Sequence, residues 1–318
     1  MSTLEVLSFA DEHLDEAGRF LAERHCRHRL VEPLLPARFE DAAAARGEVE
    51  TVWRKEGAAG AVALRGGRLV GYLVGALADD DVWGANEWVE LAGHAVEEAE
   101  VVRDLYAPVA SRWLEEGRSR HYAVVPASDP ELLDAWFRLC FGQQQAYAIS
   151  EVAEAPWPAG VRKAEPRDVD RLVELAPLLP SHQRLSPVFS GHRLEWEGDT
   201  LRVEIEQDIA ADTIGNLVAE VDGRVVGNFE VVPAELSSMH TGLACPERSC
   251  YLCFAVTDPE VRGSGAGVAL TQASFAWAYE AGYESMVTDW RVTNLLSSRF
   301  WPARGFRTTF LRLYRSIP

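Results

Sequence analysis

Two stretches of this chain repeat one pattern, and that repetition limits the fold more than any other feature. Val62-Ala63-Leu64-Arg65-Gly66-Gly67-Arg68-Leu69-Val70-Gly71 is matched by Val218-Ala219-Glu220-Val221-Asp222-Gly223-Arg224-Val225-Val226-Gly227. Each reads as an apolar strand, a tight glycine turn and a second strand, which predicts a β-hairpin. Further on, Asp129, Trp136 and Phe141 recur with the same mutual spacing as Asn294, Trp301 and Phe306. Both halves also open alike: Leu7 to Ala10 precedes an amphipathic stretch from Asp11 to Glu23, and Val161 to Ala164 precedes one from Pro166 to Leu175. Recurrence in a conserved order predicts an internal duplication. Each copy reads strand, helix, hairpin, long strand, helix, strand, helix, strand, an α/β domain with helices covering a mixed twisted sheet.

The length of 318 residues suits two such domains, at roughly 150 residues each. Between them, Glu151 to Gly160 carries Pro156, Pro158 and Gly160, so domains at 1–150 and 161–318 are expected. A formal net charge of −18 argues against a general nucleic-acid binder or a protein docked on an anionic membrane, and suits attraction of cationic small molecules. No apolar run is long enough to span a bilayer. Met1 to Ala10 lacks the basic start and apolar run of a signal peptide. A cytoplasmic protein with reduced thiols, monomeric or homodimeric, is expected. Cys245, Cys250 and Cys253 have a spacing that suggests zinc, but Cys250 to Val256 reads as a buried strand. Residues three apart on a strand point to opposite faces, so no metal site is expected.

The chemistry concentrates after that strand. Val256 leads through a polar loop into Arg262-Gly263-Ser264-Gly265-Ala266-Gly267-Val268, where a helix opens that runs to about Glu280 and stops at Gly282. The first turn of a helix leaves N–H groups without partners and adds positive potential, so glycines there favour an anion such as a pyrophosphate. A dinucleotide fingerprint fits poorly, because Val268 stands where its third glycine belongs and a polar loop separates strand from glycines. A Walker A loop is excluded, since no Gly-Lys-Ser/Thr follows.

Arg262, Gly265 and Gly267 instead fill a Gln/Arg-x-x-Gly-x-Gly/Ala pattern, with Asn294 and Phe300-Trp301-Pro302-Ala303-Arg304-Gly305-Phe306 downstream in order. This series resembles motif A and the closing segment of the GNAT acetyltransferase superfamily, over essentially all of residues 161–318. The element order of residues 1–150 resembles the same fold. The resemblance implies two tandem GNAT-like domains, each with a mixed, mostly antiparallel twisted sheet flanked by helices. It implies acetyl-CoA as cofactor, gripped at its pyrophosphate by Arg262, Gly263, Ser264, Gly265, Ala266, Gly267 and Val268. The pantetheine arm would pair with the backbone of Phe254, Ala255 and Val256, with Asn294 reaching it and Trp301 packing on it. It further implies direct attack on the thioester by an amine of a small-molecule acceptor.

Three departures qualify that picture. The first half has no glycine between Gly93 and Gly117, so it reads as a degenerate copy without a phosphate cradle. Trp301 stands where the family often has a tyrosine that protonates the departing thiolate, and an indole N–H is no practical acid. Many relatives carry a glutamate on the long strand where this chain has Ser249. Glu247, two residues away, and Glu230, on the neighbouring hairpin strand, are the candidate bases, while Tyr251 reads as packing and His240 as an exposed loop residue. Arg291, Arg299, Arg304, Arg307, Arg312 and Arg315 form a basic run that either offsets repulsion of cofactor phosphates or balances acidic neighbours. The competing reading is a module that binds acetyl-CoA as a sensor or interaction protein and catalyses weakly; a flavin or nicotinamide enzyme fits the glycine spacing least.

Overall fold

The computed structural model describes residues 3–78, 85–190 and 200–318. Both repeated stretches form hairpins: β2 (Ala59–Arg65) with β3 (Arg68–Gly75), and β9 (Gly215–Val221) with β10 (Arg224–Pro233). The turn residues Gly66-Gly67 have φ of 62° and 77°, and Asp222-Gly223 have 51° and 77°. Two consecutive positive φ values match the twist of the flanking strands, and glycine and aspartate tolerate them best. Each hairpin also carries a bulge two to three residues past the turn: Ala63 pairs with Gly71 but Leu64 with Leu69, and Ala219 pairs with Gly227 but Glu220 with Val225. The extra residue is Val70 in one and Val226 in the other, equivalent positions of the repeat. A shared bulge at a shared position is a second, structural mark of duplication.

The chain divides into two compact units: Met1–Ala146 with Gly242–Ala244 and Thr308–Pro318, and Tyr147–Thr241 with Cys245–Arg307. These differ from the expected 1–150 and 161–318. The last strand, β13 (Arg307–Ser316), belongs from Thr308 onward to the first unit, where it pairs antiparallel with β6 (Arg120–Pro126) from Phe310↔Pro126 to Ser316↔Arg120. Alternating apolar residues make a strand but do not say which sheet receives it.

In the first unit, β1 (Leu4–Ser8), β2, β3 and β5 (His94–Val96) form an antiparallel sheet in that order. A short strand, β4 (Asn86–Val89), runs parallel to β6. Helices α1 (Leu14–Val31), α2 (Ala42–Trp53), α3 (Val101–Glu115) and α4 (Pro130–Phe137) belong to this unit. Strand β7 (Gly142–Glu151) starts in the first unit and continues into the second.

In the second unit the order is β12 (Ser285–Arg291), β11 (Ser249–Thr257), β10, β9 and β8 (Val161–Lys163). All of its neighbouring pairs are antiparallel except β11 with β12. Helices α5 (Val169–Leu175) and α7 (Thr200–Ala210) cover one face, where Val169, Leu172, Leu175 and Ile205 pack on Val218, Val225 and Val256. A short helix, α6 (Leu178–Gln183), lies between them in sequence. Helix α8 (Ala266–Glu280) packs against β9 and β10, and α9 (Leu295–Phe300) follows β12. Among the described residues no helix is long and apolar enough to cross a membrane.

Candidate active site

The parallel pairing of β11 with β12 is short. It covers Ser249↔Ser285, Cys250↔Met286 and Tyr251↔Val287, and then the Thr288 hydroxyl donates to the Leu252 carbonyl at 2.9 Å. Beyond that point β11 keeps β10 on one side only. At the same level β11 bulges: Val231 pairs with Leu252 but Glu230 with Phe254, which leaves Cys253 as the extra residue. Bulges recur beside active sites because they re-aim a side chain. Here the Cys253 thiol is turned onto Glu230, donating to Oε1 at 3.2 Å.

A cleft of about 450 Å³ runs along β11 from Ala255 to Thr257 and ends at the glycine turn. Gly265 caps α8 with φ of 93°, and Gly263 has φ of 85°. Both values lie in the left-handed region, where a side chain is strained. A Cβ at either would meet no atom within 4 Å, so the space before the helix is open. The N–H groups of the first turn face that space without intrahelical partners. Asp258 anchors the approach: it accepts from Glu260 N–H at 3.1 Å and pairs with Arg171 at 2.6 Å and Arg224 at 3.0 Å. The Glu260 N–H and the Arg171 guanidinium hold its carboxyl below the usual range.

Of the residues expected to hold cofactor, Ala255, Val256, Arg262, Gly263, Gly265, Ala266, Gly267, Val268, Asn294 and Trp301 line this cleft. Two do not. Phe254 turns its side chain into the core beside Val256, and the Ser264 hydroxyl accepts from Ala266 N–H at 3.3 Å on the exposed outside of the turn. Trp301 is a wall: it is 6% exposed and packs on Phe229, Phe300 and Phe306. Asn294 caps α9, its Oδ1 accepting from Leu296 and Ser297 N–H. Within the basic run, Arg304 lines the cleft and stacks over Phe300 at 4.9 Å. Arg312 is buried in the first unit, donating to Gln144 at 2.8 Å and to Gln145.

The two candidate bases separate. Glu230 is a largely buried neighbour of the bulge, and its pKa is raised first by burial and then by the Asp208 carboxylate, with the Cys253 thiol acting oppositely. Glu247 is exposed and lies outside β11, because the strand begins at Ser249 after Arg248 turns the chain at φ of 50°. It therefore shares no strand face with Ser249. His240, expected to be exposed, is only 1% exposed and lies between the rings of Tyr147 and Tyr251, with Nε2 3.7 Å from Asp289 Oδ1. Tyr251 does more than pack, since its hydroxyl donates to Asp289 at 2.7 Å. Sequence reasoning missed His182, on α6, which joins the cleft lining beside Asn294. Its helix has no motif and only the fold brings it there.

Residues 182–306 match the acetyltransferase (GNAT) family. No curated protein matches the sequence significantly. A GCN5-related N-acetyltransferase from Sphaerobacter thermophilus has a similar fold, with 13% identity and a TM-score of 0.57 over 98% of this chain and 95% of that one. The GCN5-related glucosamine N-acetyltransferase region of a fungal multi-domain GH3 beta-N-acetylglucosaminidase has 15% identity and a TM-score of 0.53, over 99% of this chain and 38% of that one.

Proposed function

We propose, from the match of residues 182–306 to the acetyltransferase (GNAT) family, that the chain moves an acetyl group from acetyl-CoA to an amine of a small molecule. One observation carries the reading: the unpaired edge of β11 and the glycine-opened helix meet in a single cleft. The fit is chemical as well as spatial. An extended amide-bearing arm hydrogen-bonds to a free strand edge as an added strand would. A pyrophosphate suits the N–H groups at Gly265 to Val268, with Arg262 at the rim. When bound, acetyl-CoA supplies the activated thioester.

The residues of the chain do the rest. Glu230 takes the proton that an incoming ammonium must lose before its nitrogen can attack, and its burial raises its pKa toward that task. Two carboxylates, Glu230 and the Asp208 whose charge acts on it, favour a cationic acceptor. Trp301 closes the cleft against water and contributes no proton. The first unit binds no second cofactor in this reading.

The absence of a tyrosine at Trp301 motivates the second reading, a binding protein with little turnover. Release of free thiol from acetyl-CoA, measured against polyamines, amino sugars, aminoglycosides, amino acids and peptides, tests both. Turnover well above background is expected with at least one amine. Glu230→Gln should lower kcat by about 10²–10⁴-fold, with CoA affinity unchanged. Tight acetyl-CoA binding with no turnover on any amine would favour the second reading.

A further inference from the structure

We propose that His182 is the group that protonates the departing sulfur, in place of the tyrosine that Trp301 has displaced; this rests on the cofactor reading above. The argument begins with what else lines the cleft. None of the other described lining residues is an acid, a tyrosine, a cysteine or a lysine. Guanidinium and indole N–H groups are no practical acids. That leaves His182, whose imidazole is able both to give and to recover a proton.

Its orientation is fixed by a second fact. Asn294 Oδ1 accepts from the N–H groups of Leu296, at 3.1 Å, and Ser297, at 3.3 Å, so that atom is the amide oxygen. His182 Nε2 lies 3.3 Å from the same oxygen. An acceptor cannot receive from a lone pair, so Nε2 carries a hydrogen and donates. Nδ1 is then the ring atom left to exchange a proton. Leu178 and Leu179, three and four residues earlier on α6, line the same cleft. One face of the helix therefore presents two apolar side chains and one titratable ring.

The step balances as follows. The amine nitrogen, relieved of one proton by Glu230, forms its bond to the thioester carbon. The carbon–sulfur bond breaks and its electron pair stays on sulfur. His182 Nδ1–H gives its proton to that sulfur and the ring becomes neutral, still holding Asn294 through Nε2–H. The nitrogen sheds its surplus proton to solvent, and His182 and Glu230 return to their starting states by exchange with water.

The test needs no acceptor, because CoA itself carries the sulfur. The thiolate absorbance of CoA bound to the whole protein is followed against pH. The bound thiol should ionise about tenfold more readily than free CoA. His182→Gln keeps an N–H for Asn294 but has no exchangeable ring proton, and it should return the thiol to within about twofold of the free value while CoA still binds at acid pH. His182→Ala, which also loses the bond to Asn294, should in addition weaken CoA binding. Equal thiol ionisation in wild type and His182→Gln, with CoA bound to both, overturns the role of His182 alone. Failure of the wild-type protein to bind CoA at any pH overturns the cofactor reading, and this proposal with it.

Discussion

Lowering the pH from 7 to 5 charges histidines in the unfolded chain that the folded first unit keeps neutral. His25, His28, His94 and His121 are each 3% exposed or less. Burial, the largest cause in every case, lowers their pKa values from 6.5 to about 4, 3, 3 and 4 in that order. The buried Arg24 cation reinforces this at His25, His28 and His94. His121 is held as the neutral Nε2–H tautomer, donating to Arg118 O at 3.1 Å while Nδ1 accepts from the Tyr106 hydroxyl at 2.6 Å. A depressed folded pKa gives stability that is present above 6.5 and lost as pH falls toward the folded value. Between pH 7 and 5 each histidine costs just under about 2 kcal/mol, or about 7 kcal/mol for the four. Glu87 acts in the other direction: burial pushes it up to about 7 despite Arg118 beside it. Its easier protonation in the folded state returns about 2 kcal/mol over the same interval. The net loss of about 5 kcal/mol is comparable with the whole stability of many domains. Urea titrations of the full chain, followed by tryptophan fluorescence and repeated at several pH values, measure the loss. At pH 5 the slope should correspond to an uptake of about three protons on unfolding. Stability that stays flat between pH 7 and 5 would refute the reasoning.

Three further outcomes follow from the cleft. Calorimetry should give one CoA per chain; two equivalent sites would mean that the first unit binds cofactor as well. Gly265→Glu should abolish CoA binding while circular dichroism stays near wild type, since it strains a residue at φ of 93° and brings a negative charge into the phosphate space. Trp301→Phe should keep most of the rate, whereas Trp301→Ala should lose about 3–5 kcal/mol of stability and much of the CoA affinity; a collapse of kcat in Trp301→Phe with affinity unchanged would show that the indole does more than pack.

The parts legible in the sequence were those written locally. Two φ > 0 positions in a row need Gly66-Gly67 or Asp222-Gly223, so both hairpins announced themselves. The glycine turn did so for the same reason, and Asn294 carries its own capping signal ahead of α9. What stayed hidden depends on where distant segments meet. The residues of β13 form a strand in any sheet, and only the fold assigns them to β6. A loop histidine reads as exposed until the rings of Tyr147 and Tyr251 enclose it. Glu247 stands two residues before Ser249 in sequence, and nothing in its neighbours reveals that Arg248 turns the chain between them.

The two units differ at the start of one helix. In the second unit the space before α8 is open and lined by Arg262 and glycine backbone. In the first unit the matching segment between β5 and α3 is Glu97-Glu98-Ala99-Glu100. Glu98 pairs with Arg65, Glu97 with Arg68, and Glu100 with both Arg103 and Arg138. Carboxylates near a helix N-terminus satisfy the positive end of its dipole themselves. A phosphate arriving there would meet negative charge in place of unpartnered N–H groups, and Glu131 and Asp134 across the same depression add to it. The first unit therefore places carboxylates before its helix, at the position where the second leaves room for an anion. The expectation of one cofactor per chain thus rests on charge placed at a known position, beyond the missing glycines.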